Sequence, residues 1–190
     1  WLQERLHTVG DVRWWDLVIV LVYMSHFLVP MVLAVGLWLS AYALFRRYVW
    51  TLVALTLLTL ATYALAPAAP PWMAGLNGHL PEVARVVSTT LESTGIGTIR
   101  SAVQRGEAYA NAVAAIPSLH SGVAMMVLLF SWRLVGVRTR VLLVAYIGAM
   151  TFTLTYGGEH YVVDALVGWA YAAVAVLGVA WLSRRTSTSR

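Results

Sequence analysis

Residues 14–45 read WWDLVIVLVYMSHFLVPMVLAVGLWLSAYALF, a predominantly apolar run broken at Pro30 and at the polar pair Ser25 and His26. A membrane span needs roughly 20 mostly apolar residues to cross a hydrocarbon core of about 30 Å. This run is longer than that. It predicts an interfacial or kinked lead-in to about Phe27, a span from about Leu28 to Phe45, and an end at Arg46 and Arg47. The rest of the chain agrees: 60% of residues are hydrophobic and 11% charged, against about 45–50% and about 25% in soluble domains. The mean hydropathy is +0.74.

Four more spans are expected downstream. One runs from about Tyr48 to Ala66 and stops at Pro67, Pro70 and Pro71, because proline removes a backbone donor and fixes φ. One opens at Pro117, a favourable first-turn residue, and ends near Val135; the last two cover about Val141 to Thr155 and His160 to Leu182. The fold class is therefore all-α, a polytopic transmembrane helical bundle forming a single domain over residues 1–190. Residues 67–116 make the long polar loop, in which Pro81–Thr90 and Ser101–Val113 are expected as short amphipathic helices.

Arginine sets the orientation. Arg46, Arg47, Arg133, Arg138, Arg140, Arg184, Arg185 and Arg190 fall on one side, which the positive-inside rule makes cytoplasmic. The 67–116 loop carries three Arg and three Glu and is placed outside. Five spans with a cytoplasmic C-terminus leave the first one starting outside, and a sixth, upstream span is the simplest account. The expected location is a bacterial-type plasma membrane. All 13 basic residues are Arg, dispersed at span ends without an aromatic-laced patch, so nucleic acid is not expected as a partner. Cysteine is absent, which removes disulfides, thiolate metal sites and a cysteine nucleophile.

Ionisable groups at membrane depth are expensive and usually functional. His160 and Asp164 stand four apart in Glu159-His160-Tyr161-Val162-Val163-Asp164, a spacing that puts both on one face of a helix. A carboxylate beside an imidazole fixes its tautomer and readies the far nitrogen. The bland alternative is an interfacial histidine beside a carboxylate that closes a helix contact. His120 lies in Ile116-Pro117-Ser118-Leu119-His120-Ser121-Gly122, in the first turn of the third span. Ser118 is an N-cap candidate, helix N-termini bind phosphate, and Ser121 adds a hydroxyl. Counting back from Arg133 and Arg184 puts His120 and His160 at one level of the outer half of the bilayer, and His26 reaches that level too. The candidate site is thus His120, His160 and Asp164 for catalysis, with Ser118, Ser121 and His26 toward a substrate. No cofactor or metal is expected.

Pro117-Ser118-Leu119-His120 followed by His160-x-x-x-Asp164 resembles the second and third motifs of the type 2 phosphatidic acid phosphatase superfamily. The tails Ser121-Gly122 and Tyr161 to Gly168 are most similar to its inositol phosphorylceramide synthase branch. The resemblance covers roughly residues 20 to 182. It implies six membrane helices, a lipid phosphoester substrate, and metal-independent chemistry through a phosphohistidine. His160 would attack phosphorus, Asp164 orient it, and His120 protonate the leaving alcohol.

Three cations of the superfamily pattern are missing. Its first motif, Lys-x6-Arg-Pro, aligns with Thr62 and Ala69 or with Tyr63 and Pro70, and the Ser-Arg before the third-motif histidine aligns with Thr153 and Leu154. Phosphoryl transfer demands charge spread over the phosphoryl oxygens, so Arg85, Arg100 and Arg105 are the candidate replacements. Arg100 and Arg105 are favoured as nearer the third span. The rival readings are a transporter or proton relay and a catalytically inactive lipid-binding scaffold.

Overall fold

A computed structural model describes residues 2–7, 11–93, 101 and 111–188, for 186–188 the backbone alone. Their regular structure is helical throughout: α1 Leu2–Leu6, α2 Trp14–Ser40, α3 Tyr42–Leu65, α4 Pro71–Leu76, α5 Val86–Ser93, α6 Leu119–Ser131, α7 Val137–Tyr156 and α8 Val162–Thr188. Four of these, α2, α3, α7 and α8, are long and apolar enough to cross a membrane. The chain is an integral membrane protein with an all-α polytopic bundle.

The first span differs from the sequence expectation. α2 runs unbroken from Trp14 through Ser25, His26 and Pro30 to Ser40, so neither an interfacial segment nor a start at Leu28 is seen. Proline's missing donor loosens one turn without ending the helix, and the buried Tyr48 hydroxyl of α3 donates to the Pro30 carbonyl at 3.1 Å. The break comes instead at Ala41, whose N–H donates to the Leu37 carbonyl at 2.7 Å. Arg46 and Arg47 therefore lie inside α3, where long side chains reach the interface from the helix. Asp16, inside the apolar run, is fully buried. It accepts from the Arg13 N–H at 3.1 Å and the Tyr156 hydroxyl at 2.8 Å, tying the start of α2 to the end of α7.

α6 is an apolar helix shorter than the four spans, 13 residues or about 20 Å. It packs on α2, α3, α7 and most extensively on α8. Eight of its residues, among them Val123, Met126, Val127 and Leu128, are buried. Sheathed in this way, it needs no lipid-facing length of its own. Gly122 and Gly168 set the α6–α8 distance: a Cβ on Gly122 would stand 3.1 Å from the Gly168 carbonyl oxygen, and one on Gly168 would collide with the Ser118 carbonyl oxygen.

The polar loop is pinned to the histidine end of the bundle. Pro71 opens α4, and α5 replaces the helix expected over Pro81–Thr90. Most of the expected Ser101–Val113 helix lies outside the described residues. The Gln3 side chain clasps two segments, donating to the Tyr156 carbonyl at 2.6 Å and to the Ala84 carbonyl at 2.8 Å. The Ala68 N–H donates to the Val113 carbonyl at 2.8 Å, which holds the 111–115 segment over the start of α8.

Candidate active site

His160 sits on the turn between α7 and α8, two residues before the first helical residue of α8. The expected helical stacking of His160 on Asp164 is replaced by a capping arrangement. The Asp164 carboxylate accepts the Tyr161 N–H at 2.8 Å, satisfying one of the orphan donors that every helix start leaves. The same carboxylate oxygen stands 3.4 Å from His160 Nδ1. Spacing four residues apart brings the pair together by a route other than a shared helix face.

The stronger restraint on His160 comes from elsewhere. Its Nδ1 is 2.8 Å from the Ala115 carbonyl oxygen. A carbonyl only accepts, so Nδ1 carries the proton and Nε2 keeps its lone pair. The ring is 7% exposed and Asp164 2%. Sequence reading missed Ala115, since a backbone acceptor leaves no side-chain signature.

His120 stands in the first turn of α6, with Ser118 as its N-cap. The Ser118 Oγ accepts the Ser121 N–H at 3.4 Å, and the Ser118 N–H donates to the Asp164 carbonyl oxygen at 2.9 Å. The two motif-bearing segments are thus bonded directly to each other. The His120 and His160 ring centroids are 6.0 Å apart. His26 of α2 stacks on His120 at 4.2 Å and Tyr23 at 4.8 Å. His120 Nε2 is buried and has no hydrogen-bond partner among the described residues.

A cavity of about 320 Å³ opens beside the two rings, lined by Tyr23, Tyr63, Pro70, Arg85, His120 and His160 among others. Glu159 lines it as well and holds Arg85 through contacts of 3.1 and 3.3 Å. The Arg85 guanidinium also lies 4.7 Å over the Trp72 ring. Among the described residues Arg85 is the guanidinium of this cavity, whereas Arg100 and Arg105, favoured from sequence, lie outside those residues.

Ser118 and Ser121 are fully buried and do not line the cavity. The Ser121 hydroxyl accepts from the Trp169 indole at 2.7 Å and faces Thr151 at 3.4 Å. Both serines take part in contacts between helices. His26 packs against His120 and is not among the cavity walls. Of the two alignments of the missing first-motif cations, Tyr63 and Pro70 reach the cavity and Thr62 and Ala69 are not among its walls, and the Tyr63 hydroxyl donates to the Pro117 carbonyl at 2.7 Å. Thr153 and Leu154 are buried away from it. The Leu154 carbonyl instead accepts the Glu159 and His160 N–H groups at 3.0 and 3.1 Å. Among the described residues no three His, Asp or Glu converge as a metal cage.

A family model described as the PAP2 superfamily matches residues 2–178. No curated protein and no solved structure matches the chain.

Proposed function

The chain belongs to the PAP2 superfamily, whose members are typically phosphatases or phosphotransferases, and on that premise we propose that it makes or breaks a phosphoester of a membrane lipid through a phosphohistidine on His160. The observation that carries the reading is the pinned imidazole: Nδ1 donates to the Ala115 carbonyl at 2.8 Å, which commits the Nε2 lone pair to attack. His160 and His120 both line the cavity, and a phosphoryl group between them is within hydrogen-bond reach of each, roughly 3 Å.

In the proposed reaction Nε2 attacks phosphorus while the bond from phosphorus to the leaving oxygen breaks. His120 gives that oxygen its proton. The ring of His160 then holds phosphoryl on Nε2 and hydrogen on Nδ1 and is cationic, a charge that the Asp164 carboxylate and the Ala115 dipole stabilise. Water or an acceptor hydroxyl next attacks phosphorus, giving its proton to His120, and the P–N bond breaks. Arg85 contacts the phosphoryl oxygens. The arginine asymmetry orients the cavity toward the outer face of a bacterial-type plasma membrane.

The likeness to the inositol phosphorylceramide synthase branch, with head-group transfer as the outcome, rests on the Ser121-Gly122 and Tyr161–Gly168 tails. Gly122 and Gly168 are accounted for by α6–α8 packing, so they speak for the shared scaffold more than for a particular acceptor. A second reading, lipid binding without turnover, is favoured by the Arg85–Glu159 pair, which neutralises the guanidinium that a phosphate needs. The two readings part in one experiment. Purified protein is offered a panel of lipid phosphomonoesters and phosphodiesters, with phosphate release and head-group transfer both measured. Turnover lost in His160→Ala supports the enzyme; equal rates for wild type and His160→Ala across the panel reject it.

A further inference from the structure

The end of the bundle opposite the histidines holds a second cavity, of about 560 Å³. Its cause is the shortness of α6. That helix ends at Ser131 and the chain turns over 132–134, while α3 and α8 continue for 24 and 27 residues in all. A wedge is left between the start of α3 and the end of α8. Its walls are apolar side chains such as Leu44, Phe130 and Val176, and one arginine from each side faces it: Arg47 from α3, Arg133 from the turn, Arg184 from α8.

Three features mark this wedge as more than a gap. Among the described residues Arg47 Nε is buried without a hydrogen-bond partner, and its guanidinium lies 5.8 Å from the Phe130 ring centre. A buried cationic donor without an acceptor is costly and calls for one. Among the described residues no carboxylate lines the wedge, and the sequence stretches 17–81, 111–158 and 165–188 contain no Asp or Glu. At the same end Arg140 Nε is likewise buried without a hydrogen-bond partner among the described residues, its guanidinium 5.0 Å from the ring of Trp132, which also lines the wedge.

We propose that this wedge binds an anionic phospholipid, with the phosphate between Arg47, Arg133 and Arg184 and an acyl chain along Leu44, Phe130 and Val176. Guanidinium forks match phosphate oxygens, and basic pockets between membrane helices suit anionic head groups. The apolar walls specify a lipid over a free anion, and Leu134 and Leu177 at the rim are 49% and 68% exposed, so the wedge opens onto the lipid-facing surface. The site stands apart from the histidine cavity and does not depend on what that cavity does.

The test uses the whole chain in detergent, titrated with phosphatidylglycerol, with phosphatidylcholine of the same chains, and with inorganic phosphate. The readouts are the unfolding temperature and the number of lipids retained in native mass spectrometry. Phosphatidylglycerol is expected to raise the unfolding temperature at concentrations where the other two do nothing. In R47Q/R133Q/R184Q its apparent affinity falls about 100-fold, about fivefold per arginine. Arg138→Gln, outside the wedge, binds like wild type. Equal effects of the two lipids overturn the proposal, as does an inorganic phosphate effect matching the lipid's, or a loss in Arg138→Gln as large as in the triple variant. If the triple variant fails to fold, Arg47→Gln and Arg133→Gln are read singly, and unchanged phosphatidylglycerol affinity in both rejects the site.

Discussion

Asp164→Asn separates two jobs that one carboxylate performs. The asparagine oxygen still accepts the Tyr161 N–H, now held at 2.8 Å, so the start of α8 keeps its cap. His160 Nδ1 still donates to Ala115 at 2.8 Å, so the tautomer survives the change as well. What disappears is a negative charge 3.4 Å from Nδ1. At an effective dielectric of about 20, two unit charges at that distance interact by about 5 kcal/mol. In the proposed reaction the ring goes from neutral to cationic as the phosphohistidine forms, and a transition state halfway along feels about 2–3 kcal/mol of it. That corresponds to a fall in kcat of about 30- to 150-fold. In a triad where the carboxylate alone sets the tautomer, the same swap costs about 10⁴-fold. The assay is the initial rate on whichever lipid phosphoester wild type turns over, with the unfolding temperature as a control on the cap. A loss as complete as in His160→Ala, with the fold intact, would refute the role given to Ala115. An unchanged rate would refute the charge argument.

Gly168→Ala drives a Cβ into the Ser118 carbonyl and is expected to cost about 1–3 kcal/mol. It should also reduce turnover by about 10²-fold, since a 1 Å misplacement between His120 and His160 is enough. Gly178→Ala on the same helix, where nothing lies within 4 Å, should leave both quantities unchanged; equal behaviour of the two variants in thermal unfolding and rate would sink the packing argument. Glu159→Gln removes the carboxylate that holds Arg85 at 3.1 Å, so KM should fall, and fall further for a dianionic phosphomonoester than for a monoanionic phosphodiester. Arg85→Gln should raise KM in the same series, and no difference between the variants would remove Arg85 from substrate binding.

Legibility followed the range of the interactions involved. The lipid solvent, the all-α class and the existence of each apolar helix were readable because they depend on the residues of one segment, although the third expected span is a 13-residue helix, shorter than a span. Boundaries failed where a tertiary contact outweighed a local signal. Pro30 was read as a break, yet α2 runs through it; Arg46 and Arg47 were read as an end, yet the chain had already turned at Ala41. The His160–Asp164 proximity was readable from spacing, while its geometry was not, because capping of Tyr161 takes the carboxylate before a helix face is formed.

The phosphate clamp was the hardest part to read, for a physical reason. A clamp needs only that cations reach one point in space, and the chain can deliver them from any element that passes nearby. Tyr63 and Pro70, one of the two alignments of the missing first-motif cations, line the cavity without supplying a charge. The proposed clamp, Arg85, comes from the loop leading into α5, held by Glu159 and laid over Trp72. A guanidinium fixed on both a carboxylate and an indole is pre-positioned but partly neutralised. Such a cation orients a phosphoryl group better than it attracts one. On the proposed reading, turnover is then limited by how firmly the ester is drawn in, and the Glu159→Gln variant measures that limit directly.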